Sequence, residues 1–300
     1  MKHSETRRTK IVATVGPASW DPPILGQLIE AGVDVFRLNF SHADEARHLQ
    51  TVVDIRAASE RVGREVGILG DLPGPKLRVG HFPEGVIQIT NGSEVTITSE
   101  EVDGSATLIP VSWPLMTETL DVGAIVYLAD GTIRLRVTGK SEGELTAKVE
   151  VGGPLSSNKG MNLPGVESGL DAVSATDLRW VEFAVENDLD FIAVSFVRKA
   201  DDLDPVMKRL EEMDSEIPII AKIEKPQAAD AIEEIVERAT GGIMVARGDL
   251  GIEVPLSKVP VLQKHLIRAA GHHSKTVITA TQMLASMVKN TRPTRAEVTD

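Results

Sequence analysis

The sequence predicts an α/β protein: a parallel β/α barrel with seven of its eight strands present, carrying a small all-β barrel domain inserted after the third strand. Three observations lead there. Short apolar runs alternate with amphipathic helical stretches from residue 9 to 72, and the alternation resumes from residue 174. Between Pro73-Gly74-Pro75 and Asn162-Leu163-Pro164-Gly165 it gives way to short strands and turn signals. Polar residues gather at the C-terminal ends of the strands, where a β/α barrel carries its chemistry. The expected division is 1–73 for the first part of the barrel, 74–171 for an inserted lid domain, and 172–300 for the second part, incomplete at its C-terminus. A doubly wound open sheet is the alternative, but no G-x-G-x-x-G follows a strand.

Residues 9–15 (TKIVATV) read as the first strand, stopped by Gly16-Pro17. A helix over 22–31 starts on proline and ends at Gly32. Residues 34–40 (DVFRLNF) make the second strand. The stretch 43–62 is helical, with Leu49, Val52, Val53 and Ile55 as expected inner positions. Residues 66–72 make the third strand. In the insert, strands are expected at 86–89, 94–98, 125–128, 132–137 and 144–151, with a hairpin turn at Asp130-Gly131 and no helix. Stiff linkers at both ends suit a lid that swings as a body, and a rigid decoration fits the composition equally well. Ser174 and Asp177 form a capping-box start for a helix to residue 187. Residues 191–196 are the fourth strand and 200–213 a helix. The fifth strand, 217–223, and the sixth, 242–246, flank a helix with Ile232, Ile235 and Val236 on one face. A helix over 255–272, a seventh strand over 276–280 and a helical turn beginning at 282 follow.

Composition removes several classes of function. The 300 residues contain no cysteine, so there is no disulfide, thiolate metal site or thiol nucleophile. No run of 18 uncharged apolar residues suggests a membrane span. The opening MKHSETRRTK lacks the apolar core of a secretion signal, and a cytoplasmic protein is the expectation. A net charge of −12 disfavours nucleic acid as a partner. An anionic substrate would then need a local basic pocket.

The strand ends supply one. Strand two ends Arg37-Leu38-Asn39-Phe40-Ser41, and the period of two places the three polar residues on one face. Strand three ends in Asp71, and strand five in Lys222 and Glu224, also on one face. Strand six ends in Arg247 and Asp249, and strand seven in Thr281. A structural ion-pair network is the plain reading of such charges. Their convergence on one rim favours a site for a divalent cation and a phosphate. Arg37 has the forked geometry for two phosphate oxygens, and Lys222 offers a point charge. Glu224 and Asp249 suit Mg²⁺, and the Gly248-Asp249-Leu250-Gly251 backbone offers amides to a carboxylate. Phosphoryl transfer of this kind is positioning plus charge neutralisation and needs no protein nucleophile.

Seven motifs now make the sequence resemble the pyruvate kinase family: TKIVATVGPAS (9–19), RLNFSH (37–42), NKGMNLPG (158–165), AKIE (221–224), IMVARGDLGIE (243–253), ATQML (280–284) and PTRAE (293–297). The resemblance implies a glycolytic transferase that moves a phosphoryl group between phosphoenolpyruvate and ADP through a pyruvate enolate. It implies Mg²⁺, with Mn²⁺ as a substitute, on Glu224 and Asp249. Lys222 resembles the lysine that neutralises the transferring group and the enolate oxygen, and Arg37 the arginine that holds that group. Thr281 is similar to a threonine near the substrate carboxylate and the enolate carbon, while Gly248 and the Asp249 amide match the carboxylate cradle. Asn39, His42, Arg78 and Lys159 match the nucleotide side. Many relatives hold K⁺ near the positions of Asn39, Ser41 and Asp71 and carry an acidic residue where this chain has Lys76. A tethered ammonium there stands in for the ion, so K⁺ independence is expected; a Lys76 that merely points to solvent is the other reading. The family continues with an eighth strand and a C-terminal domain, and complete members are implied to be homotetramers. The 300 residues are therefore expected to be a fragment of low activity. A Mg²⁺-enolate lyase or aldolase on a similar barrel, and a non-catalytic phosphoenolpyruvate-binding fragment, are the alternative functions.

Overall fold

A computed structural model describes residues 8–166 and 169–299. The polar opening of the chain and Asp300 lie outside the described residues. The first barrel part runs β1 (Val12–Thr14), α1 (Pro22–Ala31), β2 (Val35–Asn39), α2 (Glu45–Val62) and β3 (Gly67–Asp71). The insert follows as β4 (Val86–Ile89), β5 (Glu94–Thr98), β6 (Leu108–Pro110), α3 (Met116–Thr119), β7 (Ile125–Leu128), β8 (Ile133–Ser141), β9 (Glu144–Val151), β10 (Gly153–Ser156) and β11 (Met161–Asn162). The second barrel part holds α4 (Ala175–Glu186), β12 (Phe191–Val197), α5 (Asp204–Glu212), β13 (Ile219–Ile223), α6 (Pro226–Asp230), α7 (Ile232–Arg238), β14 (Gly242–Ala246), α8 (Arg247–Glu253), α9 (Val259–His272), β15 (Val277–Ala280) and α10 (Arg295–Thr299).

The seven barrel strands pair in parallel in the order β1-β2-β3-β12-β13-β14-β15. β12 pairs directly with β3, so the insert leaves and returns between neighbouring strands. Buried strands alternate between two apolar environments. Ile219, Ala221 and Ile223 face the helices, in one core with Phe36, Leu38, Ile68, Ile192 and Val245. Ile220 faces inward with Leu69, Ala193 and Met244, packed against Val35 and Phe191. Continuing that inward period one step toward the C-terminal rim reaches Arg37, Asp71, Ser195 and Lys222. The barrel thus places its chemistry by counting.

Local signals act as their chemistry requires. Gly32 adopts φ of 108° and closes α1, and Ser174 and Asp177 make a reciprocal capping box on α4. Three corrections apply. In α2 the buried face is His48, Thr51, Val52, Ile55 and Ala58. Leu49 and Val53 are 44% and 53% exposed. Polar residues took inner positions because they are satisfied there: His48 Nε2 meets the His42 carbonyl at 2.7 Å, and Thr51 donates to the Arg47 carbonyl at 2.8 Å. The insert contains a short helix, α3, and the additional strands β6, β10 and β11. The segment after β14 is helical from Arg247, so Arg247 and Asp249 open α8 instead of ending a strand.

The insert curls a six-stranded sheet, order β11-β7-β8-β9-β5-β6, and a two-stranded one around its own core, with Trp113, Phe82 and Met116 at its centre. Its outgoing and returning legs meet through an Arg78–Gly160 bridge. At the tip of the β7–β8 hairpin, a side chain on Gly131 would reach Ile252 of α8 at 3.3 Å. The tip therefore rests on the barrel rim.

Candidate active site

Lys222 sits at the end of β13, 8% exposed. Its ammonium has three protons and three close acceptors: Glu224 Oε1 at 2.9 Å, Asp71 Oδ1 at 3.0 Å and Ser195 Oγ at 2.6 Å. Asp71 turns its second oxygen to Arg37 Nε at 2.5 Å, and Arg37 Nη1 also donates to Thr14 at 2.9 Å. The second oxygen of Glu224 accepts the Phe196 amide at 2.8 Å. An ion-pair network is therefore present, and it forms the floor of a cavity.

The electrostatics follow from that packing. Burial opposes the charge on Lys222, but attraction to Asp71 and then Glu224 outweighs it, and its proton affinity is raised far above the ordinary value. Burial also works against ionised Asp71, yet Lys222 and Arg37 win and hold its carboxyl below the ordinary range. Glu224 goes the other way. Burial is the largest cause, Lys222 opposes it, and the nearby negative charge of Asp249 adds to it, so its carboxyl is pushed up.

The cavity above this network has a volume of ≈ 180 Å³. Arg37, Asn39, Ser41 and His42 line it from the end of β2, Lys222 and Glu224 from β13, and Asp249 from α8. The insert contributes Lys76, Arg78 and Lys159. Lys76 does not run to solvent: its ammonium lies 3.4 Å from Asp249 and 3.5 Å from Asp130 of the hairpin tip. Arg78 is steadied by the Asn158 carbonyl at 3.0 Å. Asp71 lies beneath, 1% exposed.

Besides Asp71, three expected residues stand outside the cavity lining: Gly248, Thr281 and Arg247. Thr281 is exposed, with φ of 74°, and its methyl lies 3.3 Å from where a Gly248 side chain would begin. Arg247 turns away, 8% exposed, and its guanidinium holds the Ala280 carbonyl at 3.1 Å and the Thr281 carbonyl. It ties the end of β15 to α8. Ser195, Phe196 and Asp130 join the site without having been named as site residues from the sequence. An inward count along the fourth strand would have found Ser195; Asp130 was marked only as part of a hairpin turn, and nothing local marks Phe196.

Glu224 and Asp249 leave most of an octahedron for waters and substrate oxygens, which is the donor set Mg²⁺ takes. Among the described residues no cluster of three or more acidic or histidine side chains forms a full cage. Two carboxylates beside a basic pocket fit a metal that shares its shell with a phosphate.

Fold and site together define a β/α-barrel protein with an inserted β-domain and a cation-and-carboxylate site at its C-terminal rim. Residues 6–300 match the family model described as the pyruvate kinase barrel domain. The chain is 44% identical to a pyruvate kinase of Corynebacterium glutamicum, covering 98% of this chain and 62% of that protein. It is 46% identical to one of Geobacillus stearothermophilus, covering 98% and 50%, and 42% identical to one of Thermococcus litoralis, covering 98% and 62%. The chain belongs to the pyruvate kinase family. It spans half to about three fifths of the length of these curated relatives.

Proposed function

We propose that this chain is the catalytic barrel of an enzyme that transfers the phosphoryl group of phosphoenolpyruvate to ADP, giving pyruvate and ATP. The observation that supports it is the meeting of Arg37, Lys222, Glu224 and Asp249 around one cavity whose far wall is Lys76, Arg78 and Lys159. A lyase or aldolase has no use for three cations on a separate domain.

Arg37 binds the phosphoryl group through its remaining N–H groups, since Asp71 occupies Nε and Thr14 takes Nη1. Lys222 faces both the phosphoryl group and the oxygen on which enolate charge collects, and it stays protonated throughout. Glu224 and Asp249 would hold Mg²⁺, which when bound neutralises charge on the transferring group. Asn39, His42, Arg78 and Lys159 orient the nucleotide phosphates. The Gly248 and Asp249 amides, with Thr281, take the substrate carboxylate end. Lys76 keeps a fixed positive charge in the cavity, and K⁺-independent turnover follows from it. The protein acts in the cytoplasm, and its complete form is a homotetramer.

The test is ATP formation from ADP and phosphoenolpyruvate with Mg²⁺, in buffer free of K⁺. Turnover there supports the reading, and strong activation on adding KCl rejects the role of Lys76. Calorimetric binding of phosphoenolpyruvate in the presence of Mg²⁺ but no ATP would identify a binding fragment. Neither binding nor ATP would reject the function.

A further inference from the structure

β12 leaves regular pairing where it enters the site. Its partners on β13 run in step from Ile192–Ile219 to Val194–Ala221, and then Val197 falls opposite Ile223. One extra residue is accommodated on the β12 side, which is a β-bulge. Within it Phe196 carries φ of 56°, a left-handed backbone that an aromatic residue rarely adopts. Such strain persists where the surroundings over-determine it, and here they do. Gly74 of the outgoing linker packs so tightly that any side chain on it would meet Ser195 Cβ at 2.9 Å and Phe196 Cδ2 at 2.8 Å. The bulge turns the Phe196 amide into the site beside Ser195, which already faces inward two residues on from Ala193. The Phe196 amide donates to Glu224, while Ser195, 2% exposed, accepts from Lys222 at 2.6 Å and donates to the Leu72 carbonyl at 2.7 Å.

We propose that Ser195 is a positioning residue for Lys222. Of the three acceptors around the ammonium, Asp71 and Glu224 are charged and compete for its field. The hydroxyl is neutral, so it fixes the direction of the ammonium without cancelling its charge. Its own proton is held by Leu72, so its lone pair stays aimed at Lys222. Were Glu224 to hold a cation, Asp71 and Ser195 would remain as acceptors for Lys222, and of the two only the neutral hydroxyl leaves the ammonium's charge unopposed. The catalytic consequence rests on the phosphotransfer reading above; the positioning itself does not.

The experiment compares the unsubstituted chain with Ser195→Ala. Turnover in the phosphoenolpyruvate–ADP assay should fall ~30-fold, with KM for phosphoenolpyruvate within ~threefold, because the group that is misaimed acts mainly in the transition state. The thermal midpoint should stay within a few degrees, since the hydroxyl is a single buried contact. In parallel, ¹⁵N-lysine spectra should show a slowly exchanging ammonium signal, assigned by its loss in Lys222→Met, that disappears in Ser195→Ala. A Lys222 signal unchanged in Ser195→Ala, or turnover within ~twofold of the unsubstituted chain, overturns the proposal. If the unsubstituted chain makes no ATP, the functional reading falls, and the lysine signal still decides whether Ser195 holds Lys222.

Discussion

Lys222 joins stability to chemistry at a single side chain. Lys222→Met would leave Asp71 and Glu224 buried beside a methyl group, and breaking a buried pair from one side costs about 3 kcal/mol. On the proposed function, turnover should fall at least ~1000-fold, because the charge assigned there to the transferring group would be gone. Urea denaturation and the coupled assay read the two effects. The pH dependence has a definite sign. Asp71 has a folded pKa below its ordinary 3.8, so its contribution is present above that value and lost as pH falls through the folded value. The stability gap between Lys222→Met and the unsubstituted chain should therefore be widest above about pH 4 and narrow below it. The charge pattern at the strand ends made Lys222, Glu224 and Asp71 legible in the sequence. Ser195 could be reached by an inward count along β12, but its contact with Lys222 was not legible, because it depends on the register between β12 and β13.

The linkers of the insert are pinned by buried carboxylates at the element scale. Asp177 caps α4 through Ser174 and also accepts the Gly74 amide at 2.9 Å. Asp177→Ala should cost about 3 kcal/mol, from a lost cap and an unpaired amide, as urea denaturation would show. Glu253, at the end of α8, pairs with Lys225 at 2.6 Å, and the Gly165 amide of the returning leg also favours its charge. Burial is the main cause that pushes its carboxyl up, against Lys225. A raised carboxyl contributes stability that is fully present below the unfolded value near 4.5 and lost as pH rises through the folded one. Glu253→Gln should therefore gain stability relative to the unsubstituted chain between pH 4.5 and neutrality; a constant difference across that window would contradict the burial argument. The capping box on α4 was readable because it is a local code. The inner face of α2 was misread at Leu49 and Val53, because hydropathy ranks His48 and Thr51 as outer while internal hydrogen bonds pay for their burial.

Viewed whole, the molecule brings its insert to the barrel at the hairpin tip. Lys76 joins Asp249 to Asp130, and Gly131 lies against Ile252. The Lys76–Asp130 pair is largely solvated and contributes under about 1 kcal/mol, so shape carries much of the contact. Gly131 has φ of 85°, and a branched side chain there is strained in its backbone and presses on Ile252. Gly131→Val should lift the tip, speeding amide exchange in 247–253 at least ~tenfold while the barrel strands stay protected. No helix among the described residues is long and apolar enough to cross a membrane.

By itself the sequence determined the β/α rhythm, the position of the insertion and the residue types at each strand end, because period, turn chemistry and caps are local properties. Tertiary structure alone decided the rest. It brought Lys76 to Asp249, turned Arg247 away to hold β15, and set Ser195 against Lys222. Those contacts depend on strand register and on how two sheets meet, and no window of sequence contains both partners.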